Sequence, residues 1–158
     1  MMNFDVEKLE VRQLTQADLT GFSLLIRLFN TVFEADEAAI GSETTLSKLL
    51  SNNNFIAIAA FYENELVGGL TAYELPMYYS DISEIFLYDL AVKSAYQRKG
   101  IGKSLIRYVR NYCTNYGINE FFVLAHAEDE HAVEFYRATG GKSEEVINFL
   151  YGASIAKE

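Results

Sequence analysis

Tyr88-Asp-Leu-Ala-Val92 and, just beyond it, Gln97-Arg-Lys-Gly-Ile-Gly102 decide the fold. The first lies in the apolar run Ile85 to Val92, which reads as a strand buried on both faces and interrupted by one carboxylate, Asp89. After the second, Leu105, Ile106, Val109, Tyr112, Cys113 and Tyr116 recur at helical spacing until Gly117 stops them. The joint between strand and helix has the parts of an anion site. Gly100 and Gly102 let a ligand approach the backbone, the first helical turn leaves its amides free, and the helix dipole favours phosphate. Arg98 and Lys99 add cationic charge beside it. Two glycines fall short of the three in a dinucleotide fingerprint, and Lys103 does not complete a P-loop.

Upstream, Leu9 to Leu14 makes a weak first strand. Thr15 and Asp18 have capping-box spacing before Leu19, Phe22, Ile26, Phe29 and Phe33, an amphipathic helix. Thr44 or Thr45 caps a shorter helix carrying Leu46, Leu49 and Leu50. Phe55 to Tyr62 and Leu66 to Leu75 form a hairpin broken at Glu63 to Glu65, with an interruption at Gly68-Gly69. Pro76 opens a polar, aromatic loop through Ser83. Downstream come a strand at 121 to 125, a helix at 131 to 139 capped by Asp129, and a last strand from Lys142 to Leu150. Hairpin strands first and crossovers later imply a mixed central sheet flanked by helices, an α/β or α+β architecture forming one domain over residues 1–158.

A formal net charge of −9 opposes a nucleic-acid or anionic-membrane partner and suits a cationic small molecule or basic peptide. The single cysteine, Cys113, excludes an internal disulfide framework, and a reducing, cytoplasmic setting is expected. Neither a secretion leader nor a membrane span is indicated. His126 and His131 lack the companions of a metal site, so no metal is expected. No Gly-x-Ser-x-Gly turn supports a hydrolase.

Gln97, Gly100 and Gly102 match the Gln/Arg-x-x-Gly-x-Gly/Ala signature, and the chain resembles the Gcn5-related N-acetyltransferase (GNAT) superfamily. Ala132-Val-Glu-Phe-Tyr-Arg-Ala-Thr-Gly140 follows in that superfamily's order. The resemblance implies that the turn, Gln97 through Lys103 with Ile101 between its glycines, grips the pyrophosphate of acetyl-CoA. It also implies that backbone groups of Leu90, Ala91 and Val92 pair with pantetheine between splayed strands at 85 to 92 and 121 to 125. Tyr136 matches a tyrosine that protonates the departing thiolate; packing is its other role. Asp129 stands where relatives carry a cofactor-contacting asparagine, and serves equally as a helix cap.

More closely, Phe55-Ile-Ala-Ile-Ala-Ala-Phe61, Ala72-Tyr-Glu-Leu-Pro76, Ser83-Glu-Ile85, Tyr88-Asp-Leu-Ala-Val92 and Glu144-Glu-Val146 are similar to the gentamicin-modifying aminoglycoside 3-N-acetyltransferases. That family places an aspartate in this strand and associates it with the acceptor amine, which makes Asp89 the candidate. A carboxylate in an apolar strand must be paired, hydrogen-bonded or neutral. Either burial raises its pKa until it serves as a base, or it orients a cationic amine while water takes the proton. By strict alternation Asp89 shares a face with Leu87 and Ala91, and Glu84 lies opposite with Tyr88, unless a bulge intervenes. Glu84, Glu144 and Glu145 are further candidates for contacting ammonium groups, and Glu34, Asp36 and Glu37 form an acidic lip. Acetylation of another polyamine, a peptide N-terminus or a lysine stays open, as does a noncatalytic acetyl-CoA-binding module. The aromatic loop Met77-Tyr78-Tyr79 and the resemblance suggest a homodimer, and the resemblance carries an antibiotic-resistance role.

Overall fold

The structure, a computed structural model, describes residues 3–154. It divides into two compact units, residues 1–124 and 125–158.

The first unit is a five-stranded sheet in the order β1-β2-β3-β4-β5, made of β1 (Leu9–Gln13), β2 (Phe55–Tyr62), β3 (Glu65–Leu75), β4 (Glu84–Val92) and β5 (Phe121–Val123). The first four strands pair antiparallel, and β5 joins β4 in parallel. This is the expected mixed sheet. β2 and β3 turn through Glu63 (φ 48) and Asn64 (φ 69), the paired positive dihedrals of a two-residue type I′ hairpin turn. Gly68 and Gly69 stay in the ladder, opposite Ala60 and Ala59, and the interruption expected there is a slip of one residue at Val67, beside Gly68.

Two helices cover one face. α1 (Leu19–Val32) follows a capping box in which Thr15 and Asp18 satisfy each other's amides, and α2 (Glu43–Ser51) is capped by Ser42 rather than by Thr44 or Thr45. Ser42 is in extended backbone, as an N-cap must be, and its hydroxyl accepts from the Thr45 amide. Phe22, Leu25, Leu28 and Phe29 of α1 pack with Phe55, Ala57, Ala59 and Ala91. The small side chains under α1 let the helix lie close to the sheet, and each large one buried contributes about 1.5–3 kcal/mol. α3 (Ile101–Tyr116) crosses the opposite face, burying Ile101, Leu105, Ile106, Val109 and Cys113, and ends on left-handed Gly117.

The second unit contains α4 (Glu130–Ala138), capped by the Asp129 carboxylate on the Ala132 amide, and closed by the Gly141 amide donating to the Tyr136 carbonyl. The last strand expected from Lys142 to Leu150 is absent: no ladder or main-chain hydrogen bond involves residues 142–151 among the described residues. The segment has strand-like composition but joins no ladder among the described residues, and β-propensity without a partner does not make a strand. No described helix is long and apolar enough to cross a membrane.

Candidate active site

The register of β3 against β4 places the key carboxylate. Thr71 faces Asp89 and Ala72 faces Leu87, so Tyr88 is an extra residue, a β-bulge. Cross-strand partners point to the same side and neighbours alternate. Ile85 and Leu87, opposite Glu74 and Ala72, therefore face α3. Glu84, Phe86, Asp89 and Ala91, opposite Leu75, Tyr73, Thr71 and Gly69, face α1. Strict alternation had put Asp89 with Leu87 and separated it from Glu84; the bulge reverses both statements and leaves Asp89 with Ala91.

The bulge also accounts for the exposure pattern. β4 is not buried on both faces: Tyr88 is 58% exposed and Asp89 half-buried, while Ile85, Leu87 and Ala91 are buried. No hydrogen bond or ion pair reaches the Asp89 carboxylate among the described residues, and burial alone pushes its pKa above the ordinary aspartate value. Tyr73 lies on the same face, in edge contact with Tyr88 (6.0 Å between centroids) and with Phe55 (5.2 Å). Burial first, then the charges of Tyr88 and Asp89, pushes the Tyr73 phenol up. Phe86 continues the aromatic row, 5.5 Å from Tyr88 and stacked at 4.9 Å on Phe122 of β5. Tyr73 and Phe86 are legible as site residues only from their cross-strand pairing, which requires the register.

β5 pairs with β4 only from Ile85 to Leu87, so the β5 side of β4 is unpaired from Tyr88 to Val92. Beyond Leu87 the two strands no longer pair, and the main-chain groups of Leu90, Ala91 and Val92 on that side have no ladder partner among the described residues. The Val92 carbonyl accepts from Gln97 Nε2 at 3.0 Å, so the Gln97 side chain braces the strand end against the turn. Arg98 (φ 62) and Gly100 (φ 84) both adopt left-handed backbone, and Gly100 begins α3 without any side-chain cap. The first-turn amides are thus left for a ligand. A Cβ built on Gly100 would meet nothing within 4 Å, so open space lies above the turn. Ile101 is buried, and only its backbone can contribute. Lys99 rests over Phe4 and Tyr96, at 5.8 and 5.6 Å, and Lys103 is exposed.

The remaining candidates are dispersed. Glu84 accepts from the Tyr79 hydroxyl at 3.0 Å, which raises the Tyr79 pKa. Asp36 accepts the Ala38 amide in the exposed turn after α1, close in sequence to exposed Glu34 and Glu37. In the second unit, Tyr136 sits half-buried in edge contact with Phe135, and Glu144 and Glu145 are exposed. A cavity of about 520 Å³ opens beside Leu24, Arg27, Leu28, Leu66 and Lys93; neither Asp89 nor Tyr88 lines it. No cluster that could hold a metal ion occurs among the described residues.

The uncapped helix start, the open glycine turn and the unpaired half-strand fit a long ligand carrying phosphates and amide groups. Gly100→Ala is expected to raise KM for acetyl-CoA about tenfold, equal to about 1.4 kcal/mol, with KM for the amine unchanged. The added methyl must adopt a disfavoured backbone and fill the open space. Steady-state kinetics with each substrate varied in turn checks it.

No match is found among curated proteins. Among solved structures, the chain is similar to an aminoglycoside acetyltransferase, meta-AAC0020, from an uncultured soil metagenomic sample, solved in complex with sisomicin and with trehalose. The identity is 41%, over 95% of this chain and 100% of that one, with a TM-score of 0.91. It is also similar to the aminoglycoside acetyltransferase HMB0005 from an uncultured soil metagenomic sample, at 35% identity over 92% of this chain and 99% of that one, TM-score 0.87. The aminoglycoside N-acetyltransferase AAC(6')-Iy in complex with CoA shares the fold, at 18% identity, 92% and 95% coverage and TM-score 0.76. The sequence model described as Acetyltransferase (GNAT) family matches residues 22–140, and the chain belongs to that family, an acetyl-CoA-dependent N-acetyltransferase.

Proposed function

We propose that the protein acetylates an amine of an aminoglycoside, at the 3-N position, through a ternary complex with acetyl-CoA. The observation that carries this reading is the bulge at Tyr88, which sets an unpartnered carboxylate and a row of aromatic rings on one face, beside the unpaired half of β4. Asp89 and the rings of Tyr73 and Tyr88 suit an ammonium group, which gains both charge pairing and cation–π attraction there. Glu84 extends the acidic character along that face; Asp36, Glu144 and Glu145 contact further ammonium groups.

Bound acetyl-CoA supplies an activated acetyl group, whose carbon exchanges its bond to sulfur for one to nitrogen. The turn from Gln97 to Lys103 holds the phosphates, and the main chain of Leu90 to Val92 holds the pantetheine and polarises the acetyl oxygen. Asp89 either takes the proton of the amine or orients the amine while water takes the proton. Tyr136, assigned by its match to the Phe-Tyr-x-x-x-Gly segment, donates the phenol proton to the thiolate. Asp129 keeps its capping bond, and only its second oxygen is offered to the cofactor. The whole chain acts as one catalytic domain in the cytoplasm, as a homodimer, and acetylation removes one positive charge from the aminoglycoside, the change on which a resistance role would rest.

Turnover with gentamicin-type and kanamycin-type compounds, followed by mass spectrometry and NMR assignment of the modified nitrogen, tests the reading. Acetylation at the 3-amine supports it. Acetylation of spermidine or a peptide N-terminus in preference to every aminoglycoside overturns the substrate. Acetyl-CoA binding without turnover of any amine overturns the enzyme.

A further inference from the structure

The turn from Gln97 to Lys103 rests on side chains supplied by a different part of the sheet. Arg98 adopts left-handed backbone (φ 62), a disfavoured state for a residue with a side chain, and such a state persists only where its surroundings impose it. On one side, Gln97 Nε2 donates to the Val92 carbonyl. On the other stands Glu65, the first residue of β3.

One oxygen of the Glu65 carboxylate accepts from Lys93 Nζ at 2.7 Å, and the other accepts from the Tyr96 hydroxyl at 2.9 Å. Lys93 and Tyr96 bracket the single 3₁₀ turn Ser94–Tyr96, which joins β4 to Gln97. The Lys93 amide also donates to the Val67 carbonyl at 2.8 Å, so main chain and side chain both tie Lys93 to β3. The bonds from Lys93 and Tyr96 hold the Glu65 carboxyl below its ordinary pKa, and the bond to Glu65 holds the Tyr96 phenol above its own. Tyr96 has a second contact. Its ring lies 5.8 Å from that of Tyr62, which stacks on Phe4 at 4.7 Å, and Lys99 Nζ rests over Tyr96 and Phe4. Tyr62 is buried and stands opposite Glu65 in the ladder. One phenol thus meets Glu65 through its oxygen and a cation of the turn through its face.

We infer that Glu65 and Tyr96 are positioning residues for the cosubstrate, which fix the turn from Gln97 to Lys103 in its anion-binding shape before the ligand arrives. This rests on the reading that the turn holds the phosphates of acetyl-CoA. The network serves geometry more than stability. The side chains of Lys93 and Glu65 are 41% and 50% exposed, and an ion pair so open to water adds little to global folding. A preformed turn, by contrast, spares the ligand the cost of ordering it.

Calorimetric titration of the full chain with CoA, beside thermal unfolding, tests this and needs no acceptor amine. Glu65→Ala loses both bonds. It is expected to raise the Kd for CoA about tenfold, the worth of one hydrogen bond to a charged group, and to leave the melting temperature nearly unchanged. Glu65→Gln is expected to recover most of the affinity, because its amide can accept from Lys93 and donate to the phenol oxygen. Tyr96→Phe keeps the ring under Lys99 and is expected to lose less than Tyr96→Leu. Added to Gly100→Ala, Glu65→Ala is expected to weaken binding by less than it does alone, since both changes act on one turn. Full additivity overturns action through the turn. Fewer binding sites at an unchanged Kd identify a merely structural role and overturn the inference. Equal losses for Tyr96→Phe and Tyr96→Leu overturn the part given to the ring. If Glu65→Ala binds CoA normally while Gly100→Ala does not, the inference falls and the phosphate turn stands. If neither weakens binding, the phosphate turn falls and takes the inference with it.

Discussion

Asp89→Asn is expected to lower kcat/KM for the acceptor amine by about 10²-fold or more, and at the same time to raise the melting temperature. Both effects follow from one environment. The carboxylate is half-buried, has no hydrogen-bond partner among the described residues, and is held above its ordinary pKa by burial. Since the folded chain keeps this proton to higher pH than the unfolded chain, ionised Asp89 subtracts stability. The sign is fixed: the penalty is absent below the unfolded aspartate pKa and complete above the raised folded one. Asparagine has no charge to bury, so its advantage in thermal unfolding is expected near neutral pH and fades as pH falls into the ordinary aspartate range. Activity moves the other way. The rate of the unmodified enzyme rises with pH through the raised pKa, and the variant lacks that limb. A loss borne by kcat identifies proton abstraction, and one borne by KM identifies the holding of a cation. An unchanged kcat/KM with the true acceptor would sink the role given to Asp89.

Gly69→Val is expected to be the most destabilising single substitution in the first unit, by about 3 kcal/mol or more, or roughly 6–12 °C in melting temperature. A Cβ at Gly69 would lie 2.5 Å from Leu25 Cδ1 and 2.6 Å from the Ile58 carbonyl oxygen. Leu25 is fully buried, so its side chain has little room to turn aside, and the carbonyl belongs to the ladder itself. Neighbouring Gly68 is milder, with its nearest atom, the Ala91 carbonyl oxygen, at 3.0 Å. Gly69 also faces Ala91 across the ladder, so the disturbance reaches the half-strand assigned to pantetheine. Thermal unfolding followed by circular dichroism ranks Gly69→Val, Gly69→Ala and Gly68→Ala. A Gly69→Ala chain as stable as the unmodified one would show that α1 is free to shift.

How much of this the sequence declares depends on the range of each interaction. The glycine turn, the box of Thr15 with Asp18 and the stop at Gly117 are local, and they stand where the residues put them. Sequence alone does not separate Ser42 from the threonines that follow, because only backbone conformation distinguishes a cap from a first-turn residue. Gly68-Gly69 reads as a break, and the ladder does slip beside it at Val67, but the nearness of Leu25 to Gly69 is a tertiary fact that no local pattern reports. The face of Asp89 depended on a bulge, one residue of register between strands, which alternation along a single strand cannot report. The tail from Lys142 to Leu150 looked like a strand because composition declares a willingness to pair and says nothing of the partner.

The unpaired half of β4 has a consequence for the life of the protein in a cell. From Tyr88 to Val92 the strand offers main-chain groups on the side that β5 has left, the kind of edge on which stray polypeptide can nucleate. A cosubstrate bound there as proposed would cover that edge much as another strand would, and saturation at a hundred times its dissociation constant would add about 2.7 kcal/mol to the folded state. The abundance of intact enzyme would then track the metabolic state of its host, a supply of acetyl donor acting as folding aid before it acts as reagent.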